Sequence, residues 1–367
     1  MRLLYLYSEE WTGRRAREVH TLSTCVALAE SGVDVTLVTA GGEAEIRQHL
    51  IDIANAAEVP NLHIVALSRT LGPIRSTSIF SRNFSYWLQT NPPFDLGYII
   101  HLKAGPLLSQ AGIPYAYEAH EIFAQTPENS VRQRKLHILE KQVLNTASLH
   151  IATSAPLAVA LLTWFSLSND FHIVPNAGMP PLNTTISSPD GPFVYCGSIA
   201  EWKGLDIAIQ AAAEAKLPLR VIGGTDEEWE AIGEQIDTSG VEWQPRVPLN
   251  ELPEVLKGCR AGLIPTNLDT PSGEFSCPMK LFDYARCGLP VLTTALPSLQ
   301  SLDVGPWCTQ VPSPTRASWT DALKHFAYDI EQADAARAWS GLHTWANRAE
   351  LLKHTFESFG PVAAVKQ

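Results

Sequence analysis

The chain of 367 residues is 45% hydrophobic and 18% charged, which is typical of a globular protein with two or more domains. Its net charge of −11 argues against a nucleic-acid-binding surface, because such a surface needs a basic face. Most of the acidity lies in the second half, since residues 1–178 hold 13 Lys and Arg against 15 Asp and Glu.

The six cysteines are scattered, and the chain contains neither a CxxC motif nor a Cys and His cluster at zinc spacing. This usage is typical of buried, reduced thiols in a cytosolic protein. The opening stretch MRLLYLYSEE is too short and too quickly acidic for a signal peptide, and no apolar run approaches the ~20 residues of a membrane span. We therefore expect a soluble, cytoplasmic protein.

Strand-like apolar runs alternate with helical patterns along the whole chain, which predicts an α/β protein with parallel sheets. In the first half the predicted strands are 2–8, 34–40, 62–68, 95–102, 114–119, 149–154 and 171–176. Helices are predicted between them, for example at 17–31, 44–57, 129–146 and 155–165. The stretch GMPPLNTTISSPDGP that follows is rich in Pro, Gly, Ser and Thr and has no periodicity, so it predicts a linker.

A second alternating series follows this linker. Its predicted strands are 193–198, 219–224, 241–247, 261–266 and 290–294, and its predicted helices are 204–216, 226–236, 250–258 and 278–287. The tail, 316–358, has a helical pattern throughout. Two doubly wound domains of similar size would form a cleft between the carboxyl edges of their strands, where ligands bind in such folds.

The stretch FVYCGSIAEWKGLDIAIQAAAEA, residues 193–215, places a lysine at the start of an amphipathic helix. Gly197 ends the predicted strand and lets the backbone turn tightly, and Lys203 with Gly204 opens the helix. A cation at a helix N-terminus opposes the helix dipole, so this placement is unfavourable unless an anion lies between them. The motif favours a phosphate-binding site, and an exposed loop lysine is the alternative.

A second anion site is predicted in SCPMKLFDYARCGLPVLTT, residues 276–294. Pro278 suits the first turn of a helix, whose first backbone N–H groups have no partner within the helix. The N–H groups of Met279, Lys280 and Leu281 are therefore expected to be free to bind an anion.

The acid in the middle of this helix has two interpretations. Asp283 falls one helical turn from both Lys280 and Arg286, which is the spacing of an ordinary row of surface ion pairs. In the other interpretation, the carboxylate points into a ligand cleft.

Together the two motifs resemble the nucleotide-sugar half of glycosyltransferase family 4, whose members are retaining enzymes of the GT-B fold. The resemblance extends to YEAHEIFA (117–124), LEKQVLNTASLHIATS (139–154), HIVPNAG (172–178) and HTWANRAELLKHTF (343–356). It implies two Rossmann-like doubly wound domains facing each other across a cleft. The implied division is an acceptor-binding domain at 1–178, a linker at 179–192, a donor-binding domain at 193–340 and a helix at 341–367 that crosses back to the first domain.

The resemblance implies roles for residues of the donor-binding domain. Lys203 matches the lysine that contacts the donor diphosphate, and the backbone of Met279, Lys280 and Leu281 is expected to bind the same group. Asp283 matches the second acid of a pair of glutamates separated by seven residues, which holds the ribose hydroxyls.

Two residues of the first domain are matched in the same way. Gly13, in the loop after the first strand, matches a glycine that lets backbone amides approach the diphosphate. His120 matches the histidine beside the transferred sugar, with Glu121 next to it.

Two departures from the family pattern affect the expected site. Eight residues before Asp283 stands Phe275, and the acid is Glu274, one residue earlier. If the loop shifts, Glu274 holds the hexose hydroxyls and joins His120 in the catalytic set; otherwise sugar selection differs. The arginine often found after the glycine of the lysine loop is Ser198 here.

Three further features follow from the resemblance and the strand ends. Arg246 lies where family members contact the nucleotide base, with a plain surface arginine as the alternative. Gly223, beside Gly224 at a strand end, is expected to allow close approach of the nucleotide. Arg14, Arg15 and Arg17 form a basic cluster, which is either a solvated face or a site for an acidic acceptor or a lipid headgroup.

The implied reaction is retaining hexosyl transfer from a nucleotide-diphosphate sugar, with UDP the commonest donor nucleotide in the family. No DxD motif is present, so we expect a metal-independent enzyme with no cofactor besides its nucleotide-sugar co-substrate. Expected partners are the donor and an unidentified acceptor, such as a glycan, a lipid-linked saccharide or a small-molecule glycoside. Nucleic acid is not expected. Peripheral contact with the inner face of the cell membrane stays open. The oligomeric state, monomer or homodimer, also stays open.

Three alternatives stay open. A nucleotide-sugar 2-epimerase can share the fold, and a degenerate cleft could bind a nucleotide-sugar without turning it over. A nicotinamide dehydrogenase is poorly supported, because no GxGxxG follows a predicted strand.

Overall fold

A computed structural model describes residues 1–13, 15–91, 93–126 and 129–358. It divides the chain into two compact units, and the described residues of the first are 1–175 together with the C-terminal 345–358. The second unit is Asn176–Thr344. Residues 359–367 of the predicted last helix, and Arg14 of the predicted basic cluster, lie outside the described residues.

The first unit contains a seven-stranded parallel sheet in the order β3-β2-β1-β6-β7-β8-β9, and β4 and β5 form a separate antiparallel hairpin. The strands are β1 (Arg2–Tyr7), β2 (Asp34–Thr39), β3 (Leu62–Ala66), β4 (Thr70–Leu71), β5 (Ile74–Arg75), β6 (Leu96–Ile99), β7 (Tyr115–Ala119), β8 (Leu149–Ala152) and β9 (Phe171–Ile173). The helices are α1 (Ala16–Glu30), α2 (Glu43–Ala54), α3 (Thr77–Gln89), α4 (Gly105–Gln110), α5 (Ser130–Thr146) and α6 (Ala155–Phe165).

The second unit contains a six-stranded parallel sheet in the order β12-β11-β10-β13-β14-β15. Its strands are β10 (Phe193–Cys196), β11 (Leu219–Ile222), β12 (Val241–Gln244), β13 (Ala261–Ile264), β14 (Val291–Thr294) and β15 (Cys308–Val311). Its helices are α7 (Leu205–Ala215), α8 (Asp226–Gly233), α9 (Leu252–Leu256), α10 (Pro271–Glu274), α11 (Met279–Arg286), α12 (Arg316–His325) and α13 (Ile330–Leu342). The last helix of the chain, α14 (Trp345–Ser358), belongs to the first unit.

Burial on both faces explains why the central strands are continuous apolar runs. In β1, the side chains from Leu3 to Tyr7 are fully buried, and in β14 every residue is buried. Parallel strands are covered by helices on both sides, so they lack the alternation of a half-exposed strand. The predicted α/β class with parallel sheets is confirmed.

In both sheets the order in which strands are added reverses next to the first strand. The chain moves outward from β1 to β3 and then returns to the other side of β1 with β6, and β10, β11 and β13 repeat this arrangement. The loops that follow such neighbouring strands diverge, which leaves a crevice where ligands bind in this class of fold. The predicted site residues Gly13, Gly197 and Lys203 lie in the loops that follow β1 and β10.

The segment 179–192 is an ordered part of the second unit. Leu182 and Ile186 donate their backbone N–H groups to the last carbonyls of α11 and its cap, at 2.9 and 3.1 Å. Ser188 donates to the carbonyl of Cys259 at 2.9 Å. The predicted linker sequence therefore lies along its own unit, and the units divide at Pro175–Asn176 and at Thr344–Trp345.

The structure contains strands that were not predicted, the β4–β5 hairpin and the edge strand β15. The predicted helical tail, 316–358, is confirmed and consists of three helices, α12 to α14, with short breaks between them. The edge strand β15 was not predicted, because only its first and last residues are buried and its middle is exposed Thr309 and Gln310. Among the described residues, no helix has both the length and the apolar character that crossing a membrane requires.

Candidate functional site

In the second unit, two glycines bring the ends of β10 and β11 together. The Gly197 N–H donates to the Ile222 carbonyl at 2.9 Å. Gly223 has a φ of +131°, and a Cβ there would lie 2.1 Å from the Gly197 carbonyl oxygen. The close approach that requires glycine at 223 is therefore an approach to the neighbouring strand end; the predicted contact with a nucleotide stays a prediction.

Replacing Gly223 by alanine is expected to destabilise the second unit by about 2 kcal/mol or more, because a backbone atom blocks the new methyl group. Gly240→Ala is the matched control, since nothing lies within 4 Å of its Cβ position. We expect that control to stay within about 0.5 kcal/mol of the native protein in urea unfolding. Equal stabilities of the two variants would contradict the steric argument.

Lys203 lies in a single 3-10 turn, Glu201–Lys203, directly before α7. Its ammonium group donates to the Ser198 hydroxyl at 2.6 Å, across the loop that follows β10. Burial lowers the pKa of Lys203, and no carboxylate pairs with it among the described residues. The structure thus brings the predicted Lys203 and Ser198 together with a positive charge that is not neutralised.

Lys280 reaches the same loop from α11. Its ammonium lies over the Tyr195 ring, 3.8 Å from the ring centre, which is a cation–π contact. A Cβ at Gly197 would lie 3.0 Å from the Lys280 nitrogen, so the glycine leaves room for this side chain. Burial, together with the charge of Lys203, lowers the pKa of Lys280 to about 7.

The backbone at the start of α11 offers two unpaired donors rather than the three that were predicted. The Leu281 N–H donates to the Pro278 carbonyl at 3.1 Å, so it is already used in a turn. Within the described residues, the N–H groups of Met279 and Lys280 have no acceptor. The loop before the helix is held by Asn176, whose amide donates to the Cys277 carbonyl at 2.6 Å.

Asp283 is half-buried, and burial raises its pKa to about 6, although the charges of Arg286 and Lys280 oppose the shift. Within the described chain no ion pair joins Asp283 to either cation. The predicted alternative of a surface ion-pair row on α11 is therefore wrong.

The charged residues predicted to bind the donor surround one thiol at the end of β10. Burial, and then the charge of Asp283, raise the pKa of Cys196 to about 12, while Lys280, Lys203 and Arg246 oppose the shift. Arg246 itself is exposed, just after β12. Three cations and one acid from three separate segments, the loop after β10, the segment after β12 and helix α11, thus lie close to the same strand end.

Glu274 ends the one-turn helix α10 and is exposed, whereas Phe275 is buried with 7% of its surface accessible. The acid and the aromatic residue therefore face opposite environments. The expectation that Glu274 replaces the missing first acid stays a prediction.

In the first unit, His120 lies just after β7 and is the partly exposed end of a buried charge network. Its Nε2 atom lies 2.8 Å from Oε1 of Glu118, which is fully buried. Arg348, from α14, donates to the same oxygen at 2.7 Å, and Tyr98 donates its hydroxyl to the other oxygen. His20 Nε2 lies 3.1 Å from Oε1.

The protonation states in this network follow from burial and from Arg348. Burial alone would raise the pKa of Glu118, but the charge of Arg348 above all holds it well below its ordinary value. Burial lowers the pKa of His20 to about 3, so His20 is neutral at pH 7. A buried carboxylate beside an imidazole fixes the orientation and tautomer of that ring. Glu118 is therefore a positioning residue for His120.

The ligand atoms of His20, Glu118 and His120 lie within 4.8 Å of one another, a spacing that one metal ion could bridge. However, Glu118 Oε1 already has its charge compensated by the guanidinium of Arg348. A metal ion would place a second positive charge against buried Arg348, so we assign this group to positioning rather than to metal binding. The expected metal independence stays a prediction.

Gly13 adopts the left-handed conformation that favours glycine, with a φ of +74°. Its carbonyl oxygen lies 2.8 Å from Nε2 of His49. The buried carboxylate of Glu18 organises the same loop, because it accepts the backbone N–H groups of Thr12 at 2.8 Å and Arg15 at 3.1 Å.

Sequence reasoning missed Glu118 and Arg348. Glu118 had one available signal, since an acid inside the otherwise apolar strand YEA must be paired if it is buried. Arg348 lies 230 residues further along the chain, and no local pattern links the two.

Two family models match consecutive parts of the chain. The model described as a glycosyl transferase 4-like domain matches residues 15–177, and the one described as glycosyl transferases group 1 matches residues 191–327. A comparison with curated proteins finds no match.

Solved structures show the same fold at low sequence identity. Sucrose-phosphate synthase from Thermosynechococcus elongatus is 17% identical, with a TM-score of 0.77 over 98% of each chain. The lipopolysaccharide outer core galactosyltransferase WaaB is 15% identical, with a TM-score of 0.62 over 98% of this chain and 99% of its own. The S. aureus protein MnaA, with UDP, is 12% identical, with a TM-score of 0.61 over 100% of this chain and 98% of its own.

Proposed function

Because the chain belongs to glycosyltransferase family 4 and has the GT-B fold, we propose that it is a retaining enzyme that transfers a hexose from a UDP-sugar to an acceptor. Of the similar structures, the one of MnaA contains UDP, which supports this nucleotide as the first to test.

The observation that carries the proposal is the pair of lysines at the end of β10. Lys203 and Lys280 lie close enough for the charge of one to lower the pKa of the other, and neither has a carboxylate partner in the described chain. Two half-buried ammonium groups repel each other unless an anion lies between them. A diphosphate supplies that anion, and the unpaired N–H groups of Met279 and Lys280 add donors for it.

The resemblance to the family supplies the proposed roles of the remaining residues. Asp283 accepts hydrogen bonds from the ribose hydroxyls, and Glu274 accepts hydrogen bonds from hydroxyls of the hexose. Arg246 contacts the base. His120, oriented by Glu118, polarises the transferred sugar.

Leaving-group departure from the anomeric carbon is the chemical step. Negative charge develops on the departing diphosphate, and Lys203, Lys280 and the helix N–H groups stabilise it electrostatically. We propose attack by the acceptor on the same face, with the departing phosphate taking the acceptor proton. This mechanism does not use the two flanking carboxylates of hydrolytic glycosidases, and no metal is required.

A thermal-shift screen of nucleoside diphosphates and nucleotide-sugars tests donor binding, because a ligand of the folded state raises Tm by mass action. Release of nucleoside diphosphate from the best donor is then measured with and without EDTA. We expect slow release that EDTA does not change. Release that stops in EDTA and returns with Mg²⁺ would contradict the proposed metal independence.

Binding of UDP is expected to take up protons above pH 7. The pKa of Lys280 is about 7 without ligand, and a bound diphosphate raises it. The fraction of Lys280 that is neutral at pH 8 therefore becomes charged on binding. Affinity should therefore fall as pH rises from 7 to 8, by up to about tenfold. Calorimetry in buffers of different ionisation enthalpy measures the proton number.

Lys280→Arg is the control for this experiment, because arginine keeps its charge at both pH values. Its proton uptake on binding UDP at pH 8 should be close to zero. Uptake that persists in Lys280→Arg would assign the protons to another group.

A second candidate function is a binding protein without turnover, which Phe275 favours because a buried aromatic residue stands where the family has an acid. Tight nucleotide-sugar binding without release of nucleoside diphosphate, across a broad panel of acceptors, would identify this function.

A further inference from the structure

A charged cavity lies in the first unit, at the carboxyl ends of β1 and β6. Its volume is about 210 Å³. The loop after β1, the β4–β5 hairpin with the residue that starts α3, and the 3-10 turn after β6 each contribute to its wall. The charged residues that line it are Glu9, Glu10, Arg15, Arg69, Arg75 and Lys103.

The two acids neutralise only part of this positive charge. Glu9 pairs with Arg15 at 3.2 Å, and Glu10 pairs with Arg75. Arg69 and Lys103 have no carboxylate partner among the residues that the structure describes. The lining therefore has a surplus of two positive charges in a protein whose net charge is −11.

Arg69 is held with part of its donor capacity unused. Its Nη2 atom donates to the Thr77 hydroxyl at 3.3 Å, and its Nε atom is buried without an acceptor in the described chain. Buried donors without partners are rare in proteins and are often satisfied by a ligand or an ion. Thr77 and Ser8 add hydroxyl groups to the same wall.

We propose that this cavity binds a phosphate monoester carried by the acceptor. A phosphate monoester has a charge of about −1.5 to −2 at neutral pH and three acceptor oxygens, which matches the surplus charge and the donors of Arg69 and Lys103. The volume is below the ~300–1,000 Å³ typical of sites that enclose a whole ligand, so the cavity holds the charged group rather than the entire acceptor. The identification as an acceptor rests on the proposed transferase function.

The test is a calorimetric titration with inorganic phosphate, glucose 6-phosphate and glucose, without any donor. We expect glucose 6-phosphate to bind, glucose not to bind, and Arg69→Gln/Lys103→Gln to weaken phosphate binding by about tenfold or more. Arg47→Gln/Lys141→Gln is the matched control, since both residues are exposed in the same unit and do not line the cavity. Thermal unfolding of both variants shows that each is folded.

Lys203→Gln is a reciprocal control, because it removes a cation of the second unit. If phosphate binding is unchanged in Arg69→Gln/Lys103→Gln, or falls equally in the matched control, the inference is overturned. If the inference is overturned in this way but UDP binding is lost in Lys203→Gln, the proposed function still stands. Failure of the inference and failure of the proposed function are therefore distinguishable.

Vesicles identify the source of the phosphate group. The β4–β5 hairpin exposes Leu71 and Ile74, at 56% and 62% of their surface. If the acceptor is a lipid phosphate, phosphatidylcholine vesicles with phosphatidic acid bind, and both Leu71→Ser/Ile74→Ser and Arg69→Gln/Lys103→Gln weaken that binding. If the acceptor is a soluble phosphate ester, only the arginine–lysine variant weakens binding of glucose 6-phosphate, and vesicles do not bind.

Discussion

Replacing Lys203 by glutamine is expected to reduce release of nucleoside diphosphate from the donor by about 10²–10³-fold. The ammonium of Lys203 lies at the Ser198 hydroxyl, and no carboxylate among the described residues neutralises it, so its charge is available to the departing diphosphate. Glutamine keeps most of the length and a donor but removes the charge. The negative charge on the diphosphate increases as the bond to the sugar breaks, so the loss of the lysine charge should lower kcat more than it weakens binding of the ground-state donor.

Lys324→Gln is the matched control, since Lys324 is an exposed lysine at the end of α12 in the same unit. Single-turnover kinetics on both variants measures the chemical step. If Lys203→Gln releases nucleoside diphosphate at the native rate, the proposed electrostatic role of the β10 loop is wrong.

Replacing Arg348 by methionine is expected to destabilise the first unit by about 3–5 kcal/mol, because it leaves the buried carboxylate of Glu118 without its main counter-charge. Arg348 also donates to the Pro175 carbonyl at 2.9 Å and to the Thr24 hydroxyl at 3.1 Å, and both bonds are lost. For a unit of this size the Tm of its transition should fall by about 10 °C. Differential scanning calorimetry measures that transition.

A double-mutant cycle separates charge pairing from packing. Glu118→Gln removes the buried charge, so Arg348→Met should cost less in that background than in the native protein. Arg47→Met is the surface control, because Arg47 pairs with Glu43 on the exposed face of α2 and should cost under about 1 kcal/mol. Equal costs of Arg348→Met in both backgrounds would show that packing, rather than the charge pair, dominates.

The sequence determined the class of fold because the buried strands of a parallel sheet have a recognisable local sequence pattern. Runs such as RLLYLY and VLTT are apolar at every position since both faces of those strands are buried. Strands with a weaker apolar pattern were missed. An example is β15, where the exposed Thr309 and Gln310 interrupt the apolar run. The lysine of the β10 loop and the helix at 279–286 were also found, because glycine and proline mark such turns in the sequence.

The tertiary structure alone decided which charges meet. The spacing of Asp283, Lys280 and Arg286 fits an ion-pair row as well as a ligand site, and only the three-dimensional structure shows that neither ion pair forms among the described residues. Glu118 meets Arg348 across 230 residues, and the cavity with Arg69 and Lys103 gathers three distant segments. Periodicity reports which face of an element is buried, whereas the energy of a charge depends on its neighbours in space, and those are set by the topology of the sheet.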